Sequence, residues 1–282
     1  MNSKQQEQLE QQRESWNRFS AGWKKWDGFL NSFMVSLGKA LIETLHVKGS
    51  EHVLDIASGP GEPGLTLSAF LPQGKVTAID LSEKMVNLAN ENALHRGIKN
   101  YESMVGNALE LPFKDKSFDH VICRFGIMFF PDIEKGLKEM ARVLKPGGTL
   151  AVAVWAEPEL NPFLTLLGRT VMEKLDLPKP DPDAPNVFRC AHPGYTSQLF
   201  RDVGLVKVTE KNIQGQMIYD SPEQYWELSS DIAGPIMEAM KNAPAEVVDN
   251  IKTTVIKKAD HFLRDGKMFI GWEAITVNGK KK

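Results

Sequence analysis

Apolar and polar positions recur with two different periods along this chain. In residues 29–45, Leu30, Phe33, Met34, Leu37, Leu41 and Leu45 follow one another at three- and four-residue steps, the stripe of an amphipathic helix that packs on what comes next. Short aliphatic and β-branched runs at 53–56, 75–79, 101–105, 120–124 and 149–154 then alternate with helical stretches near 63–71, 83–95 and 133–144. Strand and helix in turn predict a parallel sheet with helices on both faces. Right-handed crossovers place the loops that follow the strands along one edge, where α/β sheets bind ligands.

The alternation breaks after Trp155. A proline-rich stretch, 161–185, reads as a lid, and a helix near 193–203 and a strand at 206–213 follow. Ser221, Pro222 and Gln224 form a capping-box start for another helix. A further helix, 245–264, carries Val247, Ile251 and Val255 on one face, and a strand near 268–277 closes the chain. The expected organisation is an N-terminal helical cap over 1–46 and one α/β domain over 47–282, with lid insertions at about 157–190 and 220–265. Seven strands are expected in all.

Composition narrows the partners. With 42 % apolar residues in 282, the chain can bury a sizeable core. The net charge is −2 and the one basic run is Lys280 to Lys282, so the phosphate footprint of a nucleic-acid binder is not expected. Cys123 and Cys190 stand alone, and the six histidines, His46, His52, His95, His120, His192 and His261, lack ligand spacing. A reducing, cytoplasmic setting and no metal site are expected. Residues 1–13 are polar and no apolar run approaches the length of a membrane span, so neither export signal nor membrane anchor is expected. Nothing in the pattern sets an oligomeric state.

The chemistry is concentrated in Val53-Leu-Asp-Ile-Ala-Ser-Gly-Pro-Gly-Glu-Pro-Gly64. An apolar strand delivers Asp55, which faces a ligand ammonium directly or through water. Ala57, Gly59 and Gly61 then let backbone approach the ligand. Pro63 suits the first turn of a helix whose free N–H groups and positive dipole end face the same place. Gly59, Gly61 and Gly64 also satisfy G-x-G-x-x-G, and Asp80, at the end of the next strand, is placed to accept from two ribose hydroxyls. That pattern alone suits any adenosine ligand, a nicotinamide dinucleotide included.

Four ordered segments separate the candidates. The chain resembles the class I S-adenosylmethionine-dependent methyltransferases, and among them the ubiquinone/menaquinone-biosynthesis-like small-molecule group. The segments are Val53 to Gly61, Val76-Thr-Ala-Ile-Asp-Leu-Ser82, Gly106-Asn-Ala-Leu-Glu-Leu-Pro-Phe113 with Ser117-Phe-Asp119, and Arg142-Val-Leu-Lys-Pro-Gly-Gly148. The resemblance implies a Rossmann-like, seven-stranded, mostly parallel sheet, S-adenosyl-L-methionine as cofactor, and a small-molecule methyl acceptor. It places Asp55, Ala57, Gly59, Gly61, Asp80, Leu81 and Met85 around the cofactor, Asn107 and Ala108 at the adenine, and Arg124 and Phe125 at the methionine part. Asn107 stands where the family usually has Asp, and its carbonyl oxygen can still accept from the adenine amine. Trp16, Trp23 and Trp26 resemble the family's aromatic cap, Trp23 being taken as the cofactor contact.

The Arg142 to Gly148 run itself reads as a helix stop and turn rather than a ligand contact. His192 and Tyr195, opening the helix after the proline-rich stretch, are candidates to take a proton from the acceptor, against a structural or solvent-facing role. Tyr225 and Trp226 either line a flat substrate or simply pack. The function expected is in-line methyl transfer to O, N or C of a small, apolar or aromatic molecule. The alternatives are a nicotinamide-dependent oxidoreductase and a non-catalytic module that holds S-adenosylmethionine.

Overall fold

The structure, a computed structural model, describes residues 3–178, 181 and 183–282. Two helices come first, α1 (Ser3–Lys25) and α2 (Asp27–Glu43). Strands β1 (His52–Ile56), β2 (Lys75–Asp80), β3 (Tyr101–Val105), β4 (Phe118–Arg124) and β5 (Leu144–Trp155) then alternate with α3 (Gly64–Ser68), α4 (Glu83–His95) and α5 (Ile133–Val143). The second half adds α6 (Pro162–Lys174), α7 (Tyr195–Asp202), β6 (Val206–Tyr219), α8 (Pro222–Ile232), α9 (Gly234–Met240), α10 (Ala245–Ala259), the two-residue β7 (Leu263–Arg264) and β8 (Lys267–Lys280).

The strands lie in the order β3-β2-β1-β4-β5-β8-β6, and β7 pairs only with β8. Strands β1 to β5 run parallel, while β8 is antiparallel to both β5 and β6. The central strands are buried on both faces: Val53, Leu54 and Ile56 of β1 and Leu150 to Val154 of β5 are all fully covered, as a sheet with helices on each side requires. Helix α2 buries Leu30, Met34, Leu37 and Leu41, the stripe that its periodicity predicts. Helix α4 occupies the predicted residues, with the Ser82 side chain accepting from the Met85 amide as N-cap. At α8 the Ser221 hydroxyl accepts from the Gln224 amide and the Gln224 side chain accepts from the Asp220 amide, a reciprocal pair of the capping-box type.

Several expectations change. The segment before residue 26, expected only as part of a helical cap, is a single helix of 23 residues. Helix α10 stops at Ala259 rather than 264, because the chain turns at Asp265 and Gly266, both at positive φ, to pair β7 with β8. Strand β6 runs on to Tyr219, paired with β8 along its length. The expected lids are packed helices: α6 buries Leu167 and Val171, α8 buries Tyr225 and Leu228, and α10 buries Ile251 and Val255. Lys179, Pro180 and Pro182 of the first expected lid lie outside the described residues. Among the described residues no helix is long and apolar enough to cross a membrane.

Candidate active site

The C-terminal edge of β1 delivers a fully buried acid. Asp55 Oδ2 accepts the Gly64 amide at 3.1 Å, the N-terminal amide of α3, while Oδ1 is buried without a hydrogen-bond partner among the described residues. Burial pushes this carboxyl up to about 8, against the opposing pull of Arg124 and the Gly64 amide. The turn above it is set by backbone: Ala57, Gly59 and Gly61 all have positive φ. A Cβ on Gly59 would meet nothing within 4 Å, whereas one on Gly64 would stand 2.6 Å from Asp55 Oδ2 and 3.0 Å from the Tyr101 ring. Gly59 therefore leaves space over the turn, and Gly64 lets the helix sit down on the acid. Gly64→Ala should lose about 2–4 kcal/mol of stability by overpacking a buried polar contact. Gly59→Ala should lose only about 1 kcal/mol, from its left-handed backbone. Urea unfolding of the two variants measures the difference, and equal losses would contradict this packing.

Asp80 ends β2 beside that turn. Its Oδ2 accepts the Gly59 amide at 2.8 Å and its Oδ1 accepts the Ser82 amide at 2.9 Å. Burial raises the carboxyl even so, with the Ser82, Gly59 and Leu81 amides working the other way. Each carboxylate oxygen retains a lone pair, so the acid is fixed in place and can still accept from two hydroxyls. Leu81 and Met85 flank it, Met85 being almost fully buried in α4. Across the next loop Asn107 Oδ1 accepts the Leu109 amide at 2.9 Å, which leaves its second lone pair and its amide hydrogens for a ligand. Ala108 is partly buried against the core.

Strand β4 ends in a base among acids. The Arg124 guanidinium makes no hydrogen bond or ion pair among the described residues, but lies in the field of Glu62, Asp55 and Asp27, and burial draws it below its ordinary value despite them. Glu62 and Asp27 are in turn partnered by Arg96, with Asp27 at 4.0 Å. Phe125 follows at positive φ, a strained conformation for an aromatic residue. Its ring stacks on Trp155 at 3.9 Å between centroids and 12° between planes.

From that stack an aromatic wall continues: Trp155 meets Phe163 at 5.1 Å and Trp272 at 6.2 Å, Phe33 meets both of those, and Phe29 meets Tyr219 at 5.0 Å. Helices α1 and α2 cover the polar end. The Trp16 ring packs edge-on against Phe129, and Trp26 Nε1 donates to Asp231 at 2.7 Å. Trp23 Nε1 is buried with no hydrogen-bond partner among the described residues.

Other predicted residues fall elsewhere. His192 is exposed with Nδ1 against the Pro193 carbonyl, and Tyr195 is 40 % exposed at the start of α7, where Glu210 accepts from the Gly194 amide. The structure brings neither to the Asp55 turn. Tyr225 is core: its hydroxyl donates to the Phe163 carbonyl and accepts the Leu167 amide. Arg142 binds Glu139, Asp115 and the carbonyls of Phe113 and Leu111, a structural role as expected. Sequence reasoning missed Asp27, Glu62 and the wall of Phe33, Trp155, Phe163 and Trp272. Of these only Glu62, inside the glycine turn, was close to a recognisable motif.

Two open depressions lie apart from this site. One of about 370 Å³ is bordered by Pro72, Lys99 and Asn100, but the Asn100 amide is already spent on the carbonyls of Ser68, Leu71 and Gly74. The other, of about 580 Å³, is bordered by Gln214, Gln216 and Glu273. There the buried Glu273 carboxylate is satisfied by the Asn212 and Gln214 side chains at 2.6 Å each. The Asp55 turn, where Asp55 Oδ1 and Ser58 Oγ are buried with no hydrogen-bond partner among the described residues, is the better-built place for a ligand.

The model of the ubiE/COQ5 methyltransferase family matches residues 25–167. A demethylmenaquinone methyltransferase of Listeria monocytogenes serotype 4a (strain HCC23) is 37 % identical over 123 residues, 43 % of this chain and 52 % of that protein. The Staphylococcus aureus (strain JH9) protein of the same name is 39 % identical over 126 residues, 44 % of this chain and 52 % of its own. The chain thus spans about half the length of the curated relatives it matches. In fold it is similar to the YcgJ protein of Bacillus subtilis, with a TM-score of 0.58 at 24 % identity over 87 % of this chain and 97 % of that one. It is also similar to a SAM dependent methyltransferase of Aquifex aeolicus, with a TM-score of 0.51 at 24 % identity over 69 % and 91 %. The strand order, the glycine turn and a family match across more than half of its residues make this chain a member of the ubiE/COQ5 methyltransferase family.

Proposed function

We propose that the protein binds S-adenosyl-L-methionine on the Asp55 turn and transfers its methyl group to a flat, apolar or aromatic small molecule. The observation that carries the reading is that Asp55 and Arg124, not joined by an ion pair, lie in one another's electrostatic field at the ends of adjacent strands. A buried acid with an oxygen and a partly buried base that have no direct partner among the described residues suit the ammonium and carboxylate of an amino acid held as a zwitterion. A dinucleotide pyrophosphate carries no ammonium to match Asp55. Asp80 would take the ribose hydroxyls, Asn107 and Ala108 the adenine, and the Trp23 indole supplies a further donor from the cap.

The sulfonium supplies the activated methyl, so the protein's work is to align, enclose and exclude water. Phe125, locked by its strained backbone and by Trp155, connects the methionine end to the aromatic wall. A ring acceptor lying on that wall would present its edge to the methyl group. Relatives named demethylmenaquinone methyltransferase agree with an acceptor of the hydroquinone type. The wall itself supports the planar class, and a mere cofactor holder has no need of it. The two free, buried thiols, Cys123 and Cys190, support a reducing, cytoplasmic setting.

Calorimetric titration tests the cofactor half. S-adenosylmethionine and S-adenosylhomocysteine should bind the wild-type protein, NADH should not, and Asp80→Ala should weaken both sulfur ligands roughly 30- to 100-fold through the loss of charge-assisted hydrogen bonds. Binding of NADH alone would refute the reading.

A further inference from the structure

Helix α1 has no buried residue, whereas α2, which follows across Trp26, buries six. The first helix is held by partly buried packing, Gly22 lying close on the Asp231 backbone and Phe19 on Gly234, and by polar contacts at its surface. Gln12 donates to the Phe129 carbonyl at 2.6 Å, Lys24 pairs with Glu91 at 2.7 Å, Lys25 pairs with Asp231 at 2.8 Å, and Arg18 pairs with Glu238. Exposed pairs of this kind are individually weak.

One contact reaches the cofactor turn. Asn17 Oδ1 accepts from the Ser82 hydroxyl at 2.7 Å and from the Lys84 amide at 3.2 Å. Ser82 is the N-cap of α4, accepting the Met85 amide at 3.1 Å, and its own amide donates to Asp80 Oδ1. By fixing the hydroxyl hydrogen, Asn17 turns the Ser82 lone pair toward Met85. A cap residue is thus joined through one serine to the acid at the end of β2. Six residues on along α1, the buried Trp23 Nε1 has no hydrogen-bond partner among the described residues, so the same helix carries a donor suited to a ligand.

Building on the cofactor reading above, we propose that Asn17 is a positioning residue: it locks α1 onto the turn at residues 80–82 when cofactor is bound, and it must release Ser82 before the cofactor can leave. Trp26, between the unburied and the buried helix, is the joint. Packed α6, α8 and α10 stay in place, and α1 is the element that opens.

The test combines S-adenosylhomocysteine binding kinetics with hydrogen exchange of α1 in the wild type, Asn17→Ala and Asn17→Asp. Asn17→Ala should release the ligand roughly tenfold faster with little change in association, as expected for the loss of a hydrogen-bonded clasp. Asn17→Asp keeps an acceptor oxygen at a helix N-terminus that favours negative charge, and should stay within about twofold of wild type. The ligand should protect α1 amides in the wild type and Asn17→Asp, but not in Asn17→Ala. Equal release from wild type and Asn17→Ala, equal α1 protection in both, or an Asn17→Asp as fast as Asn17→Ala would overturn the proposal while leaving the cofactor assignment intact. Failure of the wild type to bind the ligand would instead overturn that assignment, and the role of Asn17 with it.

Discussion

Asp55→Asn should make the ligand-free protein more stable and at the same time unable to hold its cofactor. The wild-type carboxyl titrates near 3.8 in the unfolded chain and is pushed up to about 8 in the fold, first by burial. Below pH 4 both states are protonated and the group contributes nothing to the pH dependence. Between pH 4 and 8 the folded protein keeps a proton that the unfolded chain has lost, so stability falls with rising pH, by about 1.4 kcal/mol per unit, and levels off above 8. Asparagine removes that slope and can still accept the Gly64 amide. At pH 7 the variant should be more stable by roughly 2–4 kcal/mol. Urea unfolding at pH 5, 6, 7 and 8 should show the gap widening with pH. A gap that stays constant would mean that Asp55 is ionised throughout.

The same proton links stability to binding. If the ligand ammonium requires the ionised acid, S-adenosylmethionine should bind the wild type roughly tenfold more tightly per pH unit up to about 8, with release of close to one proton per site. Calorimetry in buffers of different ionisation enthalpy measures that release. Asp55→Asn should show neither the release nor appreciable binding. The acid would then be a case of stability given up for function.

How much of this was legible in the sequence depended on where each residue's partners lie. Strands β1 to β4 and helix α4 were read nearly to their ends, because period and capping are local signals. Asp55, Gly59, Gly61 and Asp80 were legible for the same reason: they belong to one strand-turn-helix unit and the strand beside it. Helix α1 was not. Its Gln- and Glu-rich stretch has no apolar stripe, and what fixes it are contacts to Ser82, Phe129, Asp231 and Glu238, far away in the chain. The end of α10 was overrun because helical spacing continues to Leu263, although Asp265-Gly266 is a turn dipeptide that marks the β7–β8 hairpin. The surroundings of Arg124 were hidden similarly, since Asp27 comes from the cap and Glu62 from the glycine turn. The aromatic wall is the extreme case. Phe33 and Trp155 fall within the family match, but Tyr219 and Trp272 lie beyond residue 167, where aromatic residues spaced tens of positions apart converge only after β6 and β8 have paired.

Arg124→Met should separate the two ends of the cofactor. The substitution keeps an apolar stem but removes the cation that Asp55, Glu62 and Asp27 share. Loss of one partner from a largely desolvated charge pair costs about 2–5 kcal/mol, so S-adenosylhomocysteine should bind the variant on the order of 100- to 1000-fold more weakly. Methylthioadenosine keeps the adenosine and the thioether but has no ammonium or carboxylate. It should bind the wild type weakly and the variant equally well, within about twofold, because Asp80 and Asn107 are untouched. Arg124→Lys should recover part of the loss, since it restores the charge without the two-pronged geometry. If methylthioadenosine weakens as much as S-adenosylhomocysteine, Arg124 holds the turn together rather than the carboxylate, and the zwitterion reading of the Asp55–Arg124 pair fails. If only the amino-acid ligand is lost, the acid from β1 and the base from β4 are a matched pair, and the fold's two central strands each supply one charge to the same end of the cofactor.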